Sequence, residues 1–498
     1  MNTETPAVIP ATPRRSWSAR LLSLPTVMGM ALVSFLFLFT GTAPVVTSIG
    51  DPDIWWHLRD AAQLLRTGHF IRTESWSFTV AGKPWIDFEW LAELPYYAAW
   101  NWIGDRGLYL MMMMLVSAIV AGVYWLGCRR SGDCKAAFLA SFVGLHFVTV
   151  SLGPRTLLFG WIYLVIELAI LWELERGRDF TWALPPLFLL WVNTHGSWLV
   201  GFVLMAAFFA CGFVHGEWGN LYAVAWTGRQ KRKFVAITAA SLALTFVNPY
   251  GAKLVLFPIN VAYRMKINMQ SVHEWFSIDF HTARGKLVFA TLALFALLQL
   301  VRRRRWRLQD LALLLIAVYG AFTYVRFVFL LGIVLTPLLA EEFRGVLGPY
   351  QAAKDRRSVN AIALAVLLLA IWFSWPADRR LQAAVTDAYP QKALPYIRSI
   401  AGHGQVFNDF DWGGYLAWNV PELPLFIDGR VDIFAYEGVM DDYVRALDLQ
   451  DSFGILDKYR IRYVFIAPDF PLAYLLDHSP AWKTTYRDTQ SVVFERVR

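Results

Sequence analysis

Apolar runs long enough to cross a bilayer recur along this chain from Leu21 to about Trp375, each on the order of 20 residues. A water-soluble core cannot hide so many continuous apolar stretches, so the sequence predicts a polytopic α-helical membrane protein. Spans are expected at 21–42, 107–127, 136–152, 157–174, 180–192, 198–216, 234–247, 286–301, 308–324, 327–343 and 358–375, about eleven transmembrane helices in all. The hydrophobic share of 57% agrees, being above the roughly 45–50% of soluble domains.

The formal net charge of +8 would fit a nucleic-acid partner if it were gathered on one soluble face. It is instead cut into short blocks between spans: "RQKRK" (Arg229 to Lys233), "RRRRWR" (Arg302 to Arg307) and "KDRR" (Lys354 to Arg357). Such blocks anchor the cytoplasmic side of a membrane protein, and nucleic-acid binding is excluded. Arg14, Arg15 and Arg20 precede an apolar run longer than a typical signal core, so residues 1–20 read as a cytoplasmic tail before an uncleaved anchor. Cys128, Cys134 and Cys211 are too few for a disulfide framework. The expected division is this tail, a transmembrane domain over 21–375 whose first outer loop is 43–106, and a soluble extracytoplasmic domain over 376–498.

With the N-terminus inside, the polar residues that are hardest to explain fall on the outer side. "GDPDIWWH" and "WIDFEW" (Trp85 to Trp90) lie in the first outer loop, "GPR" (Gly153 to Arg155) ends the third span and "NTHGSW" (Asn193 to Trp198) the fifth. "NPYG" (Asn248 to Gly251) and "VHEWFS" (Val272 to Ser277) share a later outer loop, and "YVR" (Tyr324 to Arg326) ends the ninth span. Ionisable groups at membrane depth are costly and face cavities or partners. Their convergence on one leaflet predicts a site.

Asp51 before Pro52 is a good helix start. Ile54, Leu58, Ala61, Ala62 and Leu65 then form an apolar stripe, with Asp53, Trp56, His57 and Asp60 opposite. A helix lying in the interface plane is expected. Capping accounts for Asp51 and dipole complementation for Asp53, but a second acidic pair, Asp87 and Glu89, follows in the same loop. Carboxylates there can serve as a general base or bind Mg2+ or Mn2+, and Asp51 and Asp53 are the candidate metal ligands. Arg155 and Arg326 suit phosphate, which a guanidinium meets bidentately; snorkelling at a helix end is the plainer account of each. His57, Asn193, His195 and Glu274 complete the candidate substrate-binding set. His195 reads as a satisfied structural group unless Asn193 and Glu274 adjoin it, and Asn248 as a turn residue.

Beyond Trp375 charge and turn residues return, and an α/β layer domain is expected from about Tyr389. "GQVFND", "LPLFIDGR" and "RYVFIAP" read as strands, "KTTYRDTQSVVFERV" as a hairpin, and 412–419, 436–447 and 451–459 as helical. Asp409, Asp411, Asp428 and Arg430 stand where such a domain binds ligands; turn chemistry is the plainer account, above all for Gly413, Gly414 and Gly429. The chain carries no phosphate-binding or dinucleotide fingerprint.

"DPDIWWHLR", "KPWIDFEWLAEL", "WVNTHGSW", "NPYG" and "HEWFS", with "NDFDWGGYLAW" and "IDGRVD" in the tail, resemble a group of bacterial membrane proteins in the glycosyltransferase C (GT-C) superfamily. The resemblance covers nearly the whole chain. It implies a polytopic GT-C-like domain in the bacterial inner membrane, a polyprenyl-phosphate sugar donor, an extracytoplasmic acceptor and an acidic motif opening the first outer loop. Asp51 or Asp53 would be the base, Asp87 and Glu89 second acids. Some members of the superfamily use a metal and others do not. The function expected is inverting transfer of a sugar from the lipid phosphate, with Arg155 and Arg326 neutralising the leaving group. The competing expectations are a non-catalytic lipid or polysaccharide transport or assembly protein, with ionisable residues lining a path to the cytoplasmic side, and a lipid phosphatase or ligase using the same acids.

Overall fold

In a computed structural model the chain is described over residues 16–41, 50–148, 152–264 and 273–497. Every segment expected to span the membrane contains a helix. In chain order these are α1 (Leu24–Thr40), then, after two helices of the first outer loop, α2 (Asp53–Thr67) and α3 (Trp90–Ile103), α4 (Asp105–Ser131), α5 (Cys134–Val148) and α6 (Leu157–Glu175). They continue with α7 (Leu184–Val192), α8 (Trp198–Cys211), α9 (Gly228–Thr245), α10 (Ala252–Arg264), α11 (Ala283–Arg302), α12 (Leu308–Thr323), α13 (Val328–Glu342) and α14 (Arg357–Ser374). Helix α10 follows the "NPYG" turn and was not expected there. Among the described residues α4, α6, α11 and α14 are long and apolar enough to cross a membrane.

Burial separates the helices into a centre and a rim. Every residue of α13 except Glu341 is buried, packed against α4 and α5. Small residues permit that closeness: a methyl group on Gly332 would meet the Phe147 ring, and one on Gly144 the Thr336 side chain. Helix α14 buries only Asn360 and turns Ile362, Val366, Leu369, Trp372 and Phe373 outward. An apolar surface of that extent is stable against lipid and not against water.

A small sheet joins β1 (Gly216–Trp218), β2 (Leu221–Ala223) and β3 (Trp306–Arg307), so the Arg302–Arg307 block is held to the loop after α8. The C-terminal segment has a four-stranded sheet of β4 (Gln405–Asn408), β5 (Ile461–Ile466), β6 (Trp482–Arg487) and β7 (Val492–Arg496), in the order β4-β5-β7-β6. Strands β4 and β5 are parallel, and β6 and β7 form the expected hairpin. Helices at Phe410–Asn419 and Val439–Leu447 lie between β4 and β5 in the chain.

Two expectations are corrected. "LPLFIDGR" is not a strand of this sheet. The Asn408 side chain takes the Phe426 N–H (2.8 Å) and donates to the Ile427 carbonyl (2.8 Å), while Leu425 bridges Ser77 of the first outer loop. Its backbone groups are satisfied across the chain, so a ladder has nothing to offer them. Nor is α2 a one-sided surface helix. Trp56, His57 and Asp60, on its polar face, are as buried as Ile54 and Leu58, whereas Leu65 of the apolar stripe is exposed. The polar face has its own buried partners, among them Glu93 of α3, and the tail helix Phe410–Asn419 packs on α2 as well.

Candidate functional site

Asp51 accepts the Asp53 N–H (3.1 Å) and so closes the first turn of α2. That start points both carboxylates at Arg155, which is held at the N-terminal approach to α6, where Tyr96 donates to its carbonyl (2.9 Å). Arg155 Nε lies 3.1 Å from Asp51 Oδ2 and its Nη2 3.7 Å from Asp53 Oδ2. Its Nη1 pairs with Glu274, from a 3-10 turn at His273–Trp275. Arg326 stacks on the Trp275 ring at 4.3 Å and, among the described residues, is engaged in no ion pair or hydrogen bond. Four segments scattered over nearly three hundred residues thus meet in one place; Val272 of the same motif lies outside the described residues.

The two aspartates are unequal. The Asp51 side chain is 14% exposed and tightly paired, while that of Asp53 is 32% exposed and further from the guanidinium. Burial and the neighbouring Asp51 push the Asp53 carboxyl up to about 7, against the pull of Arg155 and of the Trp56 indole N–H that it accepts at 3.2 Å. Burial raises Asp51 as well. For Glu274 burial works upward, but Arg155 outweighs it and leaves the group below its ordinary value.

Behind these groups runs a buried chain of acids and imidazoles. Glu89 Oε2 is 3.5 Å from His57 Nε2 and its Oε1 3.3 Å from His195 Nε2; His57 Nδ1 bonds Glu93 at 2.8 Å. Ser197 N–H donates to His195 Nδ1 (3.0 Å). Burial and the fields of Arg326 and Arg155 hold His195 down at about 3, so it is neutral and its proton sits on Nε2, facing Glu89. Burial above all lowers His57 too and lifts Glu89 to about 8. Asp87 is buried with Asp60 and Glu93 and accepts the Glu89 N–H (3.2 Å). Asn193 is spent on structure: it donates to the Leu189 and Val247 carbonyls and accepts the Trp90 indole N–H. Asn248 is likewise a turn residue, accepting the Tyr250 N–H.

The tail reaches the site directly, and turn chemistry is not why its glycines stand there. A methyl group on Gly429 would collide with Asp53 Oδ1, and one on Gly414 would come within 2.7 Å of the Pro52 carbonyl. Gly413 likewise abuts the Ile427 carbonyl. All three are close-approach glycines. Gly429→Ala is therefore expected to displace Asp53 or Trp56; displacements of about 1 Å at a catalytic group lower rates on the order of 10²-fold. Kinetics of the purified variant check this, with its thermal midpoint showing whether the loss is local. Asp428 and Arg430 are not ligand-binding surface: Arg430, 2% exposed, pairs with Glu74 of the first outer loop and with Asp428 (2.6 Å) between the Trp76 and Trp85 rings. Asp409 caps the tail helix by accepting the Asp411 N–H.

Sequence reasoning missed Asp60, Glu74 and Glu93. Nothing in a single sequence marks a carboxylate as buried, although Glu93 four residues after Glu89 does share its helical face. As ligands for Mg2+ or Mn2+, Asp51 and Asp53 fit poorly: the Arg155 guanidinium already bridges them and meets their charge. Among the described residues the carboxylates with metal-ligand spacing are Asp60, Asp87 and Glu93.

No protein-family model matches the sequence, and no curated protein matches it. Solved structures do. The Archaeoglobus fulgidus oligosaccharyltransferase tethered to an acceptor peptide containing the NVT sequon superposes with a TM-score of 0.55 at 13% identity, over 96% of this chain and 75% of that one. Its apo form gives 0.55 at 12% identity, over 97% and 75%. The oligosaccharyltransferase AglB of the same organism, in complex with an inhibitory peptide and a dolichol-phosphate, gives 0.53 at 14%, again over 97% and 75%. The chain therefore shares the fold of the Archaeoglobus fulgidus oligosaccharyltransferase.

Proposed function

We propose, with that shared fold as premise, that the chain is a membrane glycosyltransferase that moves a sugar from a polyprenyl-phosphate donor to an extracytoplasmic acceptor with inversion. The observation that carries this reading is the gathering of Asp51, Asp53, Glu274, Arg155 and Arg326 from four outer segments into one charged cluster. The solved neighbour bound to a dolichol-phosphate supports the class of donor. The proposed setting is a bacterial inner membrane crossed by the eleven expected helices, with the N-terminus cytoplasmic and residues 376–498 outside.

Asp53 is the base. It is the more exposed and more loosely paired of the two aspartates, and its raised carboxyl is matched to neutral pH. It takes the proton of the acceptor hydroxyl or amide as the acceptor atom bonds to the anomeric carbon. The bond from that carbon to the phosphate oxygen breaks, and the polyprenyl phosphate leaves with the electron pair. A phosphate leaves as an anion without needing a proton, so one base on one face suffices, and single displacement inverts the anomeric centre. Arg155 orients Asp51 and Asp53 and is largely spent on them and on Glu274. Arg326, with its N–H groups uncommitted, faces the leaving phosphate. Glu89 is held by His57 and His195 as a second acid beneath the base.

Arg326→Ala is expected to lower kcat/KM for the donor roughly 10- to 100-fold, as loss of a charge-assisted hydrogen bond does, mainly through KM, with partial recovery in Arg326→Lys. The reading itself is tested by mass spectrometry of surface glycans and lipids from wild-type, deletion and Asp53→Asn strains. A sugar-bearing species absent from both mutants is expected. Its presence at wild-type level in the Asp53→Asn strain refutes the proposal. Labelled donor assays separate transfer to an acceptor from hydrolysis of the lipid phosphate, which a lipid phosphatase reading requires.

A further inference from the structure

One buried group of side chains is not used by the transfer chemistry. Asp60, Asp87 and Glu93 each offer a carboxylate oxygen, and these oxygens lie within 4.8 Å of one another. The residues are 0%, 3% and 1% exposed. Among the described residues, both oxygens of Asp60 and Oε2 of Glu93 are sealed from solvent and make no hydrogen bond. An ionised carboxylate in such a place costs several kcal/mol unless something meets its charge.

The candidates within the chain are already committed. Arg430, whose field reaches all three acids, is bonded to Glu74 and Asp428. Arg59 donates to the Ala417 carbonyl and lies on the Trp76 ring. The His57 imidazole faces Glu93 through Nδ1 and Glu89 through Nε2. Protonation alone leaves a different signature: neutral carboxyls side by side hydrogen-bond to one another, whereas Asp60 bonds to neither neighbour. What remains, among the described residues, is a set of hard oxygen ligands converging on a point, none of them paired with a lysine or arginine.

We propose that Asp60, Asp87 and Glu93 bind one hard divalent cation, Mn2+ or Ca2+, in a site distinct from the Asp51–Asp53–Arg155 cluster. The donor set contains no sulfur and no free imidazole nitrogen, which selects against zinc. Oxygens up to 4.8 Å apart sit comfortably around Ca2+, with bonds of about 2.3–2.6 Å, and less well around Mg2+ at about 2.0–2.1 Å. The ion ties α2, two turns beyond Asp53, to the start of α3, and through Glu93 and His57 it fixes Glu89. It is a positioning element: it touches neither sugar nor phosphate.

The test uses the full-length protein in detergent, stripped with chelator, reloaded with Mn2+ and passed over a desalting column. One tightly held Mn2+ per chain is expected by electron paramagnetic resonance and elemental analysis, displaceable by Ca2+, with a thermal midpoint several degrees above that of the stripped protein. Asp60→Asn and Glu93→Gln should each reduce retained Mn2+ at least tenfold; the second serves if the first does not fold. Asp51→Asn with Asp53→Asn should retain it, although transfer is lost, so this site and the catalytic reading fail separately. Wild-type protein that retains no stoichiometric Mn2+ or Ca2+ and gains no thermal protection overturns the proposal, as does retention lost in the Asp51/Asp53 double variant but kept in Asp60→Asn.

Discussion

Asp53→Asn is expected to lower the rate of sugar transfer by about 10²–10⁴-fold, the usual contribution of a positioned general base, with donor affinity little changed. Asparagine preserves the shape of the side chain and can still meet the Trp56 indole, so the loss isolates the missing proton acceptor. Asp51→Asn should cost less: that carboxylate is spent on Arg155 and on the first turn of α2, and an amide still caps a helix. The pH profile supplies an independent check. Because burial and Asp51 raise the Asp53 carboxyl to about 7, and only its ionised form accepts a proton, kcat/KM should rise with pH through about 7 and level above it. A wild-type profile flat between pH 5 and 8 removes Asp53 from this role. So does an Asp53→Asn enzyme of undiminished rate.

The second large effect is on stability. Arg430→Ala leaves Glu74 and Asp428 buried at 2% exposure or less without their cation, and breaking such a pair from one side costs about 3–5 kcal/mol. The guanidinium also fills the space between Trp76 and Trp85, which alanine leaves open. A thermal aggregation midpoint many degrees below wild type is expected. The triple variant Arg430→Met, Glu74→Gln, Asp428→Asn should recover much of the loss, because replacing all partners of a buried ion cluster is far cheaper than orphaning them. Single and triple variants of equal stability contradict the clamp.

How far the sequence could be read follows from the range of each interaction. Helix positions in the membrane region were legible because hydropathy is a local signal: α1, α4, α6 and α14 fall where the apolar runs predict them. The meeting of Asp51, Arg155, Glu274 and Arg326 was legible for a less local reason. Charge asymmetry is the sequence signal behind the expectation that the outer-loop acids and bases share one leaflet. What pairs with what within that leaflet was beyond reach. His57 finds Glu93 across thirty-six positions, and nothing about an isolated Asp60 or Glu74 foretells burial. "LPLFIDGR" has the composition of a strand, yet Asn408 and the first outer loop claimed its backbone groups first. Gly429 reads as a turn residue until Asp53 is seen against it.

The contact of Gly429 and Arg430 with the first outer loop bears on when a newly made chain becomes able to work. Synthesis delivers Asp51, Asp53, Arg155 and Glu274 early, each with a membrane segment to carry it. The wall behind Asp53 and the cation beneath Trp76 emerge only after all of these, at Gly429 and Arg430. A nascent polypeptide halted before that point holds the clustered acids without their backing, and it gains the geometry seen in the folded chain only once residues 429 and 430 have been made.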